Sequence, residues 1–476
     1  MKNVFLSSLV LLVSSMANAS LPLSPQIVVD MVLKSSDQAQ IITKQRESQW
    51  VEKARILARY DYIFELSTDY MYTEAETLQG FQNESTQELS YLLGFRKKFS
   101  GGGDLDLSYK AIGQNNDLAT FNLSRGQASR QFMDVLELNY EQNLIRNSFG
   151  IVDRLEILNA ELNQNKHEFE RSEATEELIL NTMEMFWQSF TAKETLEESF
   201  ASRKRYQDLS RIVRNKKKVG YAAPAELPQT QAELIIQEQK VKTASLDYIR
   251  KSENLKRLLK LDPAKDLDFS VSELIPEPPK IEEKVISDLR KLKSKMIEIE
   301  SLINQVKIAK SKAKPELKFI AKLSSTGVDT EAGEAFTELS SIAKPTYYAG
   351  LRFRFALGDN SRGAEVRHAN ANKKIMELEL QKLKDQLTAD LMSFQKEVQS
   401  SYSVAKSAVD LLKARERAAK EIKAAYRQGR LEVKQLIDAY NALSSAETNK
   451  IQSIGRYHMS LNQYSALRDE LVQLTN

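Results

Sequence analysis

The chain has 476 residues, of which 28% are charged and 42% hydrophobic, with only 16 glycines and 10 prolines. This composition is typical of a helix-rich, coiled-coil-like protein rather than an enzyme built on ordinary loops. The net charge of +3 is too small to indicate a nucleic-acid partner. The absence of cysteine excludes disulfides, thiol catalysis, cysteine-ligated zinc and a lipidated N-terminal cysteine.

The first 19 residues have the pattern of a secretory signal peptide. Lys2 is followed by an apolar stretch from Val4 to Val13, and Ala17-Asn18-Ala19 forms a small-x-small cleavage site. No later stretch has the ~18 consecutive apolar residues of a transmembrane helix. Two alternatives remain at this point, a soluble periplasmic or secreted protein and a membrane protein that spans by strands.

Six segments alternate apolar and polar side chains, which predicts half-buried strands. A tight turn is predicted at Gly101–Gly103, and long polar loops are predicted at 73–88, 112–133 and 324–346. Short turns on one side and long loops on the other are typical of an outer-membrane barrel, whose apolar face meets lipid. The barrel is therefore favoured over a soluble sandwich. The six segments are 62–72, 89–99, 105–111, 136–140, 317–323 and 347–357.

Each half of the chain also contains one very long run of helix-forming residues. These runs, 150–218 and 361–428, end near Gly220 and Gly429, and an amphipathic return stretch follows each. Such a run predicts a helix of ~100 Å, far longer than the ~30 Å hydrocarbon layer of a membrane. Leucines at helical spacing predict seams for neighbouring helices. Since two hairpins cannot close a wide cylinder, we expect self-association.

The order of these elements resembles the TolC-like outer membrane efflux protein family over essentially the whole length after residue 19. The resemblance implies a mainly α fold with membrane β, in which a trimeric outer-membrane β-barrel continues into a long α-helical coiled-coil periplasmic barrel. It also implies two internal repeats, 20–262 and 281–476, joined by a proline-rich linker at 263–280. The segments that carry the resemblance are Leu138–Arg146, Val219–Leu227, Lys314–Leu317, Tyr348–Gly358 and Tyr426–Ala439.

This family resemblance implies a passive exit duct in the outer membrane, extending into the periplasm, of a tripartite efflux or type I secretion system. The expected partners are two further copies of the chain, a periplasmic adaptor, an inner-membrane pump and outer-membrane lipid, with no cofactor. The competing hypothesis is a periplasmic coiled-coil adaptor or scaffold without a membrane barrel. The transported substrate and the identity of the pump are not specified by the sequence.

The candidate site lies at the hairpin tips, near 219–228 and 427–438. By resemblance, the tip positions are Gly220, Glu226, Tyr426, Gly429, Gln435 and Asp438. Gln435 departs from the acidic residue usual at its position. Three copies of Asp438 around one axis would attract cations, as charged pore rings do. The alternatives are that Glu226 and Asp438 are acidic residues favoured near a helix N-terminus and that Tyr426 has an ordinary packing role between helices. Pore-lining candidates are Glu137, Glu141, Arg352 and Arg354.

An enzyme is not predicted. His167, His368 and His458 each stand alone on a helical stretch and are expected to be solvated helix residues, so no metal site is predicted. The strand count departs from the family expectation of four, because the pair around Gly101–Gly103 is additional. This leaves open a wider barrel or segments that lie below the membrane.

Overall fold

The structure is a computed structural model and describes residues 22–74, 85–117, 128–271, 275–279, 286–358 and 360–471. The predicted signal peptide lies outside these residues. The chain divides into two compact units. The helical unit comprises the described parts of Met1–Arg46, Phe169–Lys293 and Lys382–Asn476, and the sheet unit comprises those of Glu47–Glu168 and Ser294–Gln381.

Both predicted long helices are confirmed, and each is 68 residues long. A glycine turn and a shorter return helix follow each of them. The predicted repeat and linker boundaries remain a prediction. Over the described residues the α-helices are α1 (Pro25–Ser35), α2 (Asp37–Leu57), α3 (Ile151–Lys218), α4 (Glu226–Leu259), α5 (Arg290–Lys312), α6 (Ala332–Ser340), α7 (Asn360–Arg427) and α8 (Val433–Leu467).

One core of the helical unit forms around aromatic side chains of α3. Phe186 and Trp187 are almost fully buried and meet edge to face, with ring centroids 5.3 Å apart. Phe269, in the predicted linker, packs against Phe186 and forms a parallel bridge with Leu23 just before α1. The linker is therefore tied into this core at Phe269.

His458 on α8 corrects the expectation that every histidine is a solvated helix residue. Its ring stacks on Trp187, with centroids 4.0 Å apart and an interplanar angle of 7°. Burial lowers the pKa of His458 to about 4, so the imidazole is neutral near pH 7. The sequence around His458 does not indicate this stacking, because Trp187 lies far from His458 in the sequence.

The sheet unit contains one antiparallel six-stranded sheet, counted over the described residues. The strand order follows the chain, and each strand pairs with the next one. All six predicted strands are confirmed, and the additional β2–β3 pair belongs to the same sheet as the others. The strands are β1 (Tyr62–Glu74), β2 (Ser85–Lys98), β3 (Gly103–Asp117), β4 (Arg130–Asn143), β5 (Glu316–Asp329) and β6 (Pro345–Arg354).

The bounds predicted for the three long polar loops are wrong. Strand pairing continues to Glu74 and Asp117, resumes at Ser85 and Arg130, and reaches Asp329. These extensions contain many serine, threonine, asparagine and glutamine residues and so lack the apolar alternation that identifies a strand. Backbone hydrogen bonds between strands do not require that alternation, so the ladder continues beyond it.

The strand register collects most of the large apolar side chains of the sheet on one face and most of the charged ones on the other. One apolar row crosses all six strands, and its members are between 36% and 77% exposed. A soluble sheet of this kind would bury such a face. The row consists of Phe64, Phe95, Leu107, Leu138, Leu323 and Tyr347.

The turn between β2 and β3 is fixed against the start of α3. Gly102 and Gly150 have φ values of 78° and 73°, and a Cβ on Gly150 would overlap the carbonyl oxygen of Ser100. The backbone and side-chain N–H groups of Asn143 both donate to the Gly102 carbonyl, at 3.2 and 3.1 Å. Because only glycine fits this approach, the additional hairpin is an integral part of the unit.

The short helix α6, which the sequence did not predict, folds back onto the apolar face over β4 and β5. Its Ala335 and Leu339 are buried, and its Phe336 meets the ring of Tyr109 edge-on at 6.3 Å. A Cβ on Gly327 of β5 would overlap the carbonyl oxygen of Ala335, so this glycine permits the close approach. The helix covers only part of the face.

In the part of the chain that the structure describes, no helix is both long and apolar enough to span a bilayer.

Candidate functional site

Both long helices end in the same kind of turn. Gly220 and Gly429 have φ values of 79° and 76°, and each is the second residue after the end of its helix. In each turn, the N–H of the next residue donates to a carbonyl five residues earlier, which defines a Schellman motif. The two turns therefore have the same hydrogen-bond pattern. The donor and acceptor residues are Tyr221 and Lys216 in one turn, and Arg430 and Ala425 in the other.

Lys216 and Tyr426 join the ends of the two long helices. Lys216 Nζ, on α3, donates to the Tyr426 carbonyl at 2.8 Å and lies 3.8 Å from the centroid of the Tyr426 ring. A cation is favoured both at a helix C-terminus and over an aromatic face. Lys216 thus makes two favourable contacts with the end of α7, and no sequence pattern indicated this partner.

The Tyr426 hydroxyl is buried beside Glu226, at the start of α4. Tyr426 is 1% exposed, and within the described residues neither its hydroxyl nor Glu226 Oε2 has a hydrogen-bond partner. Burial, followed by the charge of Glu226, raises the pKa of Tyr426 to about 12. The Glu226 carboxylate therefore lies close enough to influence the Tyr426 hydroxyl electrostatically, but the two groups are not aligned as a hydrogen bond.

We expect Lys216→Met to destabilise the tip by about 1–2 kcal/mol, because it removes a charge-assisted hydrogen bond and a cation–π contact. Tyr426→Phe should be neutral or slightly stabilising, since it removes a buried hydroxyl without a partner. Thermal unfolding of the full-length protein measures both variants. A larger loss for Tyr426→Phe than for Lys216→Met would contradict this assignment.

Gln435 and Asp438 lie on exposed positions of the first turns of α8. Gln435 Oε1 accepts from the backbone N–H of Glu432 at 3.3 Å, and the Glu432 side chain accepts from the backbone of Gln435. This capping box gives Gln435 a role in starting the helix. Asp438 lines a groove of about 300 Å³ together with Arg415 and several alanines of α7 and α8.

An apolar core of α3, α7 and α8 holds these tip residues in place. The Tyr206 hydroxyl donates to Asn441 Oδ1 at 2.9 Å, and its ring meets Tyr440 at 5.8 Å. The core thereby fixes the position of α8, which carries Asp438. Its buried members are Tyr206, Leu209, Val213, Ala419, Tyr426, Val433, Leu436, Ile437, Tyr440 and Leu443.

The sequence did not predict a charged network between α3 and α8. Arg205 pairs with Glu198 at 2.8 Å and with Glu447 at 2.6 Å. Burial, followed by the hydrogen bond with Glu447, raises the pKa of Glu198 to about 7. The Glu198 carboxyl therefore takes up a proton near pH 7. In the sequence, these residues look like ordinary members of solvated helix faces.

The raised pKa of Glu198 predicts a pH dependence of stability. Because the pKa of folded Glu198 is about 7 and its ordinary value is 4.5, the folded state binds more protons between these values. Stability from this group therefore rises as pH falls from 7 to 4.5. Glu198→Gln should raise the unfolding temperature by a few degrees at pH 8 and flatten the dependence. Thermal melts between pH 4.5 and 8 test this, and an unchanged slope would refute it.

A second charged network that the sequence did not predict surrounds Arg290 at the start of α5. Its guanidinium bonds Glu173 at 3.0 Å, lies 3.5 Å from Asp469 and contacts Glu176. Burial raises the pKa of Glu176 to about 7. The three carboxylates are close enough to hold a metal ion, but the guanidinium already pairs with all of them. The cluster is therefore a structural ion network.

The four pore-lining candidates lie on the charged face of the sheet. Glu141 pairs with Lys318 at 3.1 Å and Glu137 with Lys322 at 3.3 Å, which links β4 to β5. Arg354 lies 3.9 Å from Glu316, and Arg352 is exposed. The strand register brings all four onto one face, as the alternation predicted.

No protein-family model and no curated protein matches the chain. Solved outer-membrane channels, however, match almost its whole length. The CmeC outer membrane channel of Campylobacter jejuni is 15% identical, with a TM-score of 0.68, and the match covers 94% of this chain and 86% of CmeC. The open state of the MtrE outer membrane channel of Neisseria gonorrhoeae is 13% identical, with a TM-score of 0.66 and coverages of 94% and 89%.

The outer membrane protein VceC of Vibrio cholerae is 10% identical, with a TM-score of 0.66, and the match covers 93% of this chain and 95% of VceC. At these identities the comparisons establish the fold. The chain has the fold of the TolC-like outer-membrane channels, and the resemblance inferred from its sequence is confirmed at that level.

Proposed function

We propose that the chain is the outer-membrane exit duct of a tripartite efflux or type I secretion system. Three copies form a barrel in the outer membrane and a helical conduit in the periplasm. The hairpin tips meet a periplasmic adaptor and an inner-membrane pump, which supplies the energy. The chain conducts substrates passively and catalyses no reaction.

The apolar face of the sheet is the observation that carries this proposal. Its continuous row of six large side chains is exposed, whereas charged residues occupy the opposite face. A strand barrel in a membrane needs this division, because lipid contacts one face and water fills the other. The whole-length match to outer-membrane channels supports the same conclusion.

The long helices suit a role in the periplasm. The portion of α3 within the helical unit begins at Phe169, so it alone extends for ~75 Å at ~1.5 Å per residue. Leu246 and Ile249 of α4 are exposed apolar residues that a neighbouring copy could cover. Both observations favour a conduit built from several chains.

The decisive test is membrane extraction of the protein from cells. We expect it in the outer-membrane fraction, with release only by detergent and a heat-modifiable mobility on gels. Release without detergent would overturn the proposal and favour the periplasmic adaptor or scaffold.

The entrance is tested by conductance in planar bilayers. If Asp438 forms a ring at the tips, Asp438→Asn should weaken block by divalent cations about tenfold, because the ring loses its charge. Asp410→Asn, on an exposed position of α7, serves as the matched control. Equal cation block in the two variants would assign Asp438 to helix stability alone.

A further inference from the structure

We propose that each copy contributes all six strands to the barrel, so that a trimer closes eighteen strands through a seam between β6 of one copy and β1 of the next. This inference rests on the proposed function, because it assumes three copies in a membrane. It identifies an interaction surface on the sheet unit and assigns a second copy of this chain as its partner.

The two edges of the sheet are built for pairing. Each has one neighbour among the described strands, β2 for β1 and β5 for β6. Strand β1 has 13 residues and contains neither proline nor glycine. Its apolar residues Phe64 and Leu66 are highly exposed, as is Leu351 on β6. A long, regular and apolar edge such as β1 is a template for another strand. On β6 the proline, Pro345, is the first residue of the strand, a position at which proline does not interrupt pairing.

Strand direction and side-chain parity both permit the seam. Because the sheet has six strands that alternate in direction, β6 runs opposite to β1, and a neighbouring β1 would extend the antiparallel order. Apolar residues have even numbers on β1 and odd numbers on β6, for example Phe64 and Leu351. A register that keeps both apolar faces together therefore pairs an odd residue of β1 with an even residue of β6.

Charge favours a register that places an acidic residue of β1 opposite an arginine of β6. On its polar face β1 carries Glu65 and Asp69, whereas β6 carries Arg352 and Arg354, and all four are exposed. Opposite charges on facing strands stabilise a pair. Placing Glu65 opposite Arg352 satisfies the parity rule and leaves Arg354 diagonal to Glu65. The acidic edge of one copy thus complements the basic edge of the next.

The additional β2–β3 hairpin must be included in the number of strands that each copy contributes. Strands β2 and β3 pair along almost their whole lengths, β3 pairs with β4, and the Gly102–Gly150 contact fixes their turn to the start of α3. With ~4.8 Å between strands and a tilt of ~40°, eighteen strands enclose a cylinder about 36 Å across, compared with about 24 Å for twelve.

Engineered disulfides test the seam, and the chain contains no cysteine that would interfere. The full-length protein carrying E65C and R352C is oxidised in outer membranes and run on non-reducing denaturing gels. We expect covalent dimers and trimers that disappear on reduction, because facing residues in antiparallel strands have Cβ atoms close enough to be bridged. The matched control, E65C with L351C, places the thiols on opposite faces and should remain monomeric.

The outcomes separate this inference from the proposed function. Linkage of E65C with R354C instead of R352C would retain the seam and overturn the register. If neither same-face pair links in a membrane-embedded trimer, the six-strand closure is wrong while the duct remains. Electron microscopy of the trimer in nanodiscs gives a second readout, with eighteen strands expected and twelve contradicting the proposal.

Discussion

Replacing Arg290 by leucine is expected to destabilise the helical unit by about 3–5 kcal/mol, because it leaves buried carboxylates without their counter-charge. Glu176 and Asp469 are buried beside the guanidinium, and Glu173 bonds it from the same helix as Glu176. Urea unfolding of the full-length protein, followed by helical circular dichroism, measures the effect. Partial or complete loss of folded protein would be the most visible consequence.

The control for this variant is Arg211→Leu. Arg211 is 72% exposed and pairs with Asp208 one turn away, so its removal should cost less than about 0.5 kcal/mol. The loss at Arg290 should also shrink as pH falls from 8 to 6. Arg290 lowers the pKa of Glu176, so its removal allows that carboxyl to take up a proton more readily. A loss that is independent of pH would contradict the assigned cause.

Gly150→Ala is expected to cost about 3 kcal/mol or more, because it combines an unfavourable backbone conformation with an overlap against Ser100. The overlap involves backbone atoms, so no side chain can move to relieve it. We expect the turn of the β2–β3 hairpin to separate from the start of α3. Limited proteolysis of the detergent-purified protein should then reveal cleavage near Gly101.

Gly358→Ala provides the comparison for Gly150→Ala. Gly358 has φ of 76°, close to the value at Gly150, but a Cβ there would meet no atom within 4 Å. This variant should therefore cost only the backbone term of about 1–2 kcal/mol. Equal losses in the two variants would show that the hairpin contact contributes nothing to stability.

The elements with strong periodicity were predictable from the sequence. Six alternating segments gave six strands, and the glycines at 220 and 429 marked the ends of both long helices. The strand ends were not predictable, because residues such as Thr86 and Asn115 continue a backbone ladder without an apolar pattern. Helix α6 was also missed, since its nine residues are too few for a clear helical period.

The candidate site was predictable only in its position. The tip residues were identified by their distance from a glycine, but their partners come from other elements. Lys216 reaches Tyr426 across 210 residues of sequence, and Arg205 reaches Glu447 across 242. Local sequence gives no information on such contacts, because tertiary packing of the helices creates them.

The hairpin held by Gly102 and Gly150 has a consequence for how a duct of the proposed kind can change in evolution. A hairpin inserts two antiparallel strands, and the second returns the chain to the end of the sheet from which the first began. The helix that follows therefore starts at the same end of the sheet with or without the hairpin. Over the described residues, each half of the chain therefore has one long helical hairpin, whereas the strands are divided unevenly, four in the first half and two in the second. In the proposed duct, an inserted hairpin of this kind would add two strands to the barrel without changing the end of the sheet at which the next helix begins.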